Sequence, residues 1–308
     1  MKKCPYCSSI HSDSANFCTS CGGEMDDTNI LNFGKKESEY AFFVEEFPNR
    51  RDYLLCLGLY FAFFYIISSI LSIIIGYIWT LVNGGANLFI PSIKAKFNRD
   101  VLAWTNFLTY SIALLVLVPK LFSVLKYDIK VARKNLKFYL NWTGIGIGIM
   151  YGATIIGNLL VTLFSFGLDT GVSENQNVIN TILANGGTNT VLVAIITVIF
   201  APILEELIFR KSLFGLFKKN TIKTVIISAI IFASIHVVPA CISLFVQALN
   251  DPKLWTDLYL EFIYIFAYLG QGFAMSYVYY KTNGNIVPSI LIHFINNLIA
   301  LLVNMYMF

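Results

Sequence analysis

Three polar clusters interrupt an otherwise apolar chain: Glu205, Glu206 and Arg210 in EELIFR, Phe232 and His236 in FASIH, and His293, Asn296 and Asn297 in HFINN. Carboxylates, imidazoles and carboxamides are costly in hydrocarbon, so ionisable groups at membrane depth point to function. Taken together they have the chemistry of a hydrolytic site. The chain has only three histidines, and two of them stand in these clusters. Glu205 and Glu206 are the acidic residues set deepest in an apolar stretch.

Helical spacing says how each cluster is presented. Glu206 and Arg210 are four residues apart, so they share a face and can pair, whereas Glu205 is rotated by about 100°. One carboxylate is therefore tied up and one is available. Pro202 is expected to bend the helix just before the glutamates. Phe232 and His236 have the same four-residue interval, which gives the imidazole an aromatic neighbour that packs it and limits water. His293 and Asn297 repeat the interval, so that a ring and a carboxamide can both donate to one oxygen. If the first helix runs on through Leu213, Phe214, Leu216 and Phe217, its glutamates lie up to ~18 Å from the helix end. His236 and His293 fall ~10 to 20 Å along theirs. The three clusters can meet at one depth.

The elements that must hold them are membrane spans. Of 308 residues, 56% are hydrophobic and 13% charged, far from the balance of a soluble domain. Seven apolar stretches are long enough to cross a bilayer: roughly 53–81, 101–122, 140–166, 191–209, 222–249, 258–280 and 286–308. The fold class is an all-α polytopic membrane protein of seven or eight transmembrane helices. Lys120, Lys126, Lys130, Arg133, Lys134 and Lys137 separate the second and third stretches, and Arg210, Lys211, Lys218, Lys219 and Lys223 separate the fourth and fifth. Those connections should be cytoplasmic, which places the N-terminus inside a multi-pass cell-membrane protein. The connections after the third and fifth stretches carry Asp169, Glu174, Asp251 and Asp257, as outside loops should; Lys94, Lys96 and Arg99 fit less well. Glu261, near the start of the sixth stretch, reads as an outer-face residue. The chain opens on a cysteine-rich polar stretch rather than a secretory signal. A net charge of +4 does not argue for nucleic acid.

The N-terminal 25 residues form a separate unit. Cys4 and Cys7, then Cys18 and Cys21, make two knuckles that supply four soft ligands for a tetrahedral structural zinc. Two disulfides are the competing reading, disfavoured by a reducing compartment, and His11 is a competing ligand. Residues 26–52 are a charged linker, and 53–308 the transmembrane domain. Cys56 and Cys241 read as small buried hydrophobes.

The three motifs, in order, resemble the CPBP family of intramembrane proteases, which includes the CAAX prenyl endopeptidases and the abortive-infection and bacteriocin-immunity proteins. The run TNGNIVPSILIHFINN is similar to the family's approach to its last motif, and the resemblance covers about residues 191–308. It implies an intramembrane endopeptidase in which Glu205 and His236 activate a water, His293 and Asn297 hold the oxyanion, and Glu206, Arg210 and Phe232 support them. It equally admits Glu205, His236 and His293 as ligands of a catalytic zinc. The implied substrate is a membrane-associated protein or lipophilic peptide, met in a cavity open to the cytoplasmic leaflet. Two other classes remain: a catalytically silent scaffold or regulator that recruits a protein partner through its ribbon, and a proton-coupled transporter. The transporter should show repeated halves, whereas here the polar residues gather in the C-terminal part.

Overall fold

A backbone in lipid must satisfy its own polar groups, so apolar runs of this length become helices or closed barrels. This chain takes the helical solution. The computed structural model describes residues 2–3, 10–11, 50–183, 187–217 and 221–307. The helices over them are α1 (Arg50–Val82), α2 (Pro91–Lys134), α3 (Leu136–Phe164), α4 (Glu174–Leu183), α5 (Thr188–Phe217), α6 (Ile222–Ala248), α7 (Leu254–Lys281) and α8 (Val287–Met307). All except α4 are long and apolar enough to cross a membrane, which makes seven among the described residues. The molecule is an all-α multi-pass membrane protein. At the N-terminus β1 (Lys2–Lys3) pairs antiparallel with β2 (Ile10–His11), Lys2 opposite His11. Cys4, Cys7, Cys18 and Cys21 lie outside the described residues, as does the expected linker up to residue 49; Arg50 to Asp52 already belong to α1.

The spans follow hydropathy, and the connections depart from it. Except for Lys137, which opens α3, the basic residues expected between the second and third spans sit on α2 itself, which runs unbroken through Pro119 to Lys134. Its 44 residues extend for about 66 Å, twice the hydrocarbon thickness, so its charged end projects beyond the membrane. Only Asn135 separates it from α3. Charged residues are sound helix formers, so nothing before Asn135 ends the helix.

The α5 helix is the centre of the bundle: 61% of its apolar stretch is buried, against 17–39% for the other spans. The remaining spans present rows such as Ile66, Ile70 and Ile73 on α1, and Ile155, Leu159 and Leu163 on α3, outward as exposed apolar surface suited to lipid. Small residues set the closest packing, as expected where lipid is as apolar as the protein. A Cβ on Gly157 of α3 would come within 2.5 Å of the Phe266 carbonyl of α7, and one on Gly270 of α7 within 2.7 Å of the Ala153 carbonyl.

The bundle has two unlike ends. At one, the last turns of α2, α5 and α7 meet the first turns of α3, α6 and α8, and a buried ion pair joins Lys211 to Asp128 at 2.6 Å. Lys211 also donates to the Gly284 carbonyl, Ile286 N donates to Asp128 Oδ2 at 2.9 Å and Asn285 Nδ2 to the Asp128 carbonyl at 2.9 Å. This is the structural content of TNGNIVPS: Asn283 and Gly284 turn the chain at φ of 54° and 78°, and Asn285 Oδ1 accepts Val287 N to start α8. At the other end Asp100 accepts Trp79 Nε1 and Asn189 Nδ2, joining α1, α2 and α5.

Candidate active site

The glutamates sit in a short α-helical stretch of α5, Ala201–Glu206, between two wider π-helical turns, Ile196–Phe200 and Leu207–Ser212. Turns of this kind concentrate at functional sites, because one extra residue per turn rotates everything that follows. Pro202, which has no N–H, stands just after the first of them. Within the second, the Phe209 carbonyl accepts Ser228 Oγ of α6 at 2.7 Å, and Ser276 Oγ of α7 donates to Ser228 Oγ at 2.9 Å. The distortion is thereby locked to both neighbours.

The two carboxylates then face different partners. Glu206 is fully buried, with Oε2 3.0 Å from Arg210 Nε and Oε1 3.1 Å from His293 Nδ1. Arg210 is equally buried; its Nε approaches Glu206 off the line of a hydrogen bond, and its planar head lies 4.8 Å over the Phe232 ring. The α5 pairing expected from the sequence is present, and His293 joins it. Glu205 is 4% exposed, and its Oε1 accepts the Tyr110 hydroxyl of α2 at 2.9 Å. Its Oε2 is buried without a hydrogen-bond partner among the described residues.

The imidazoles are held from behind. His236 Nδ1 is 2.8 Å from the Phe232 carbonyl, which can only accept, so Nδ1 carries the proton and Nε2 keeps its lone pair. Its ring packs against Phe232 at 4.7 Å and stacks on Tyr268 at 4.7 Å. Tyr268 is tied in turn to Ser173 Oγ at 2.8 Å and Asn175 Nδ2 at 3.3 Å, in the segment that begins α4. The start of α4 is also fixed by Glu261, which is buried near the start of α7 and whose Oε2 accepts Glu174 N at 2.9 Å. Asn297 Nδ2 donates one N–H to the Thr197 carbonyl at 2.8 Å and its Oδ1 accepts Asn296 Nδ2 at 3.2 Å, which leaves the second N–H of Asn297 for another acceptor.

Glu205, His236, His293 and Asn297 all line one cavity of about 580 Å³, with Phe232, Tyr110, Tyr268 and Asn296. Glu206 and Arg210 lie behind its wall. The cavity does not run toward the lysine-bearing end, the side read from sequence as cytoplasmic and expected to hold its opening; it runs toward α4, past Thr154 and Asn158 of α3 and Asn304 of α8. Depth along a helix measures distance to an end and does not say which end is closed, and here the Lys211–Asp128 pair and the TNGN turn close the nearer one. Tyr110, Tyr268 and the Thr197 carbonyl were not singled out from sequence. Each lies far from the motifs along the chain and is of an ordinary type for a membrane helix; only their position in the fold marks them.

The donor types suit zinc, since each imidazole has its Nδ1 engaged by an oxygen, which leaves Nε2 available. Their convergence does not: among the described residues no three His, Cys, Asp or Glu side chains come together closely enough to hold one ion.

Comparison with curated proteins and with solved structures found no match. Residues 187–299, which contain Glu205, Glu206, Arg210, Phe232, His236, His293 and Asn297 but not Tyr110, match the family model described as type II CAAX prenyl endopeptidase Rce1-like, so this part of a multi-pass membrane protein is similar to a family of membrane-embedded proteases.

Proposed function

We propose that the protein is an intramembrane endopeptidase in which Glu205 activates the attacking water. The observation that carries this is the second oxygen of Glu205: buried, without a hydrogen-bond partner among the described residues, and in the wall of a cavity that two imidazoles and Asn297 also line. An orphaned carboxylate oxygen in such a place calls for a water or a substrate N–H. With Tyr110 holding Oε1, Oε2 accepts a proton from water as the water oxygen bonds to the scissile carbonyl carbon. His236 Nε2, an acceptor, orients that water through its second hydrogen. The carbonyl oxygen becomes an oxyanion, held by the spare Asn297 N–H and by His293 when its ring, braced by the Glu206 carboxylate, carries both protons. The C–N bond then breaks, and the proton on Glu205 passes to the leaving amine. Glu206 and Arg210 support His293 and Phe232. In this reading the water is activated by Glu205 and His236 alone, and the zinc expected of the chain is the structural ion that Cys4, Cys7, Cys18 and Cys21 would hold.

The substrate class is a membrane-associated protein or lipophilic peptide, and none of the described lining residues marks the cavity for a prenyl group. The test compares membrane proteins and released peptides from cells carrying the intact protein with those carrying Glu205→Ala, His236→Ala or His293→Ala. Loss of the same cleavage product in all three supports the enzyme. Unchanged products with unchanged biological activity would make it a scaffold. Cleavage by a Cys4→Ser/Cys18→Ser variant is expected to survive chelation; loss that zinc restores would place a metal in the membrane site instead.

A further inference from the structure

The cavity wall is graded from buried to exposed. At its floor Glu205, Phe232 and His293 are buried, and at its rim Asn158, Val172 and Asn175 are exposed. The rim is built from the end of α3 and the segment leading into α4. That end of the bundle carries Asp100, Asp169, Glu174, Asp251 and Asp257, which offset Lys94, Lys96, Arg99 and Lys253. The opposite end carries Lys126, Lys130, Arg133, Lys134 and Lys137 on and beside the projecting α2, and by the positive-inside rule it is cytoplasmic. It is also closed, since Lys211, Asp128, Thr282 and Asn285 are all buried there.

The lining is also almost free of charge. Among the described lining residues Glu205 is the only acidic one and there is no lysine or arginine; the remaining polar wall is mostly amides and hydroxyls such as Asn158, Gln271, Asn304 and Thr154. Amide side chains donate and accept as a peptide backbone does. A carboxylate, on a side chain or at a free C-terminus, would lose its hydration there, meet no lysine or arginine among the described lining residues and face Glu205, whereas a cation would meet only the Glu205 carboxylate that must stay free for water.

Resting on the hydrolytic reading above, we propose that the cavity takes its substrate from the extracytoplasmic side and admits an uncharged, internal peptide segment. The segment passes between α3, the start of α4 and α8 to reach Glu205, with its own termini and charges left outside.

The test places single cysteines at Val172 and Lys130 in the full chain and treats intact cells with a membrane-impermeant maleimide, read against the parent chain with its native cysteines. Val172→Cys should be labelled in intact cells, and Lys130→Cys only after permeabilisation; the reverse pattern overturns the assignment of sides. A short peptide of alanine, serine and leucine with blocked ends, added outside, should protect Val172→Cys, and the same peptide with a central aspartate should require about tenfold more, as should one with a central lysine once Glu205 is replaced by Gln. Equal protection by all three, or none by any, overturns the assignment of the segment. Both measurements are repeated in a Glu205→Gln background, where hydrolysis is removed. A wrong side and a wrong reaction then fail separately.

Discussion

Tyr110 and Glu205 meet through one hydrogen bond, and that bond decides which carboxylate oxygen is left for water. A hydrogen bond to a charged group contributes about 1.5–3 kcal/mol. If it holds Glu205 in its reactive orientation, Tyr110→Phe should lower kcat about 10- to 100-fold with KM little changed, as steady-state kinetics on the purified protein would show. A KM effect alone would make Tyr110 a substrate contact. Arg210 is a different case, because it is fully buried between Glu206 and Phe232. Arg210→Met leaves Glu206 with only His293 and should cost about 3–5 kcal/mol in unfolding experiments. The double variant with Glu206→Gln should cost less than the sum of the two singles. The Glu206–Arg210 pairing was legible in the sequence, since the four-residue interval fixes it whatever surrounds the helix. The bond from Tyr110 was not, because it joins residues 95 apart, and neither was Glu206 to His293, 87 apart.

At the level of elements, hydropathy found each of the seven spans among the described residues, because twenty apolar residues have few other fates. What it could not find were features that hydropathy does not encode. The projecting end of α2 reads as a loop because it is charged, yet only Asn135 breaks it. The ten-residue α4 is too short and polar to register as a span, although it carries part of the cavity rim. The π turns around the glutamates leave no mark on residue type at all. The contact of α3 with α7 gives an element-level expectation. Gly157→Ala should destabilise the protein by about 1–3 kcal/mol, because the added carbon meets the Phe266 backbone and the helices must part. Gly148→Ala on the same helix meets nothing within 4 Å and should be neutral or mildly stabilising in the same unfolding assay.

Across the whole molecule, a closed end and an open cavity are two sides of one arrangement. The Lys211–Asp128 pair, the TNGN turn and the apolar packing of Leu204, Leu207 and Ile208 fill the lysine-bearing half, so the space that remains lies on the other side of Glu205. Lys211→Met would strand Asp128 in that packing, and loss of about 3–5 kcal/mol in stability is expected. The clusters read from sequence do share one cavity, but the direction of its mouth needed the fold. The account depends above all on Glu205 acting as the base, and the most direct measurement is the turnover of an identified cleavage substrate by purified Glu205→Gln in a lipid bilayer. A fall in kcat of about 10²- to 10⁴-fold, with an unchanged unfolding midpoint, is the predicted result. Cleavage at the same bond within tenfold of the unaltered protein would contradict it.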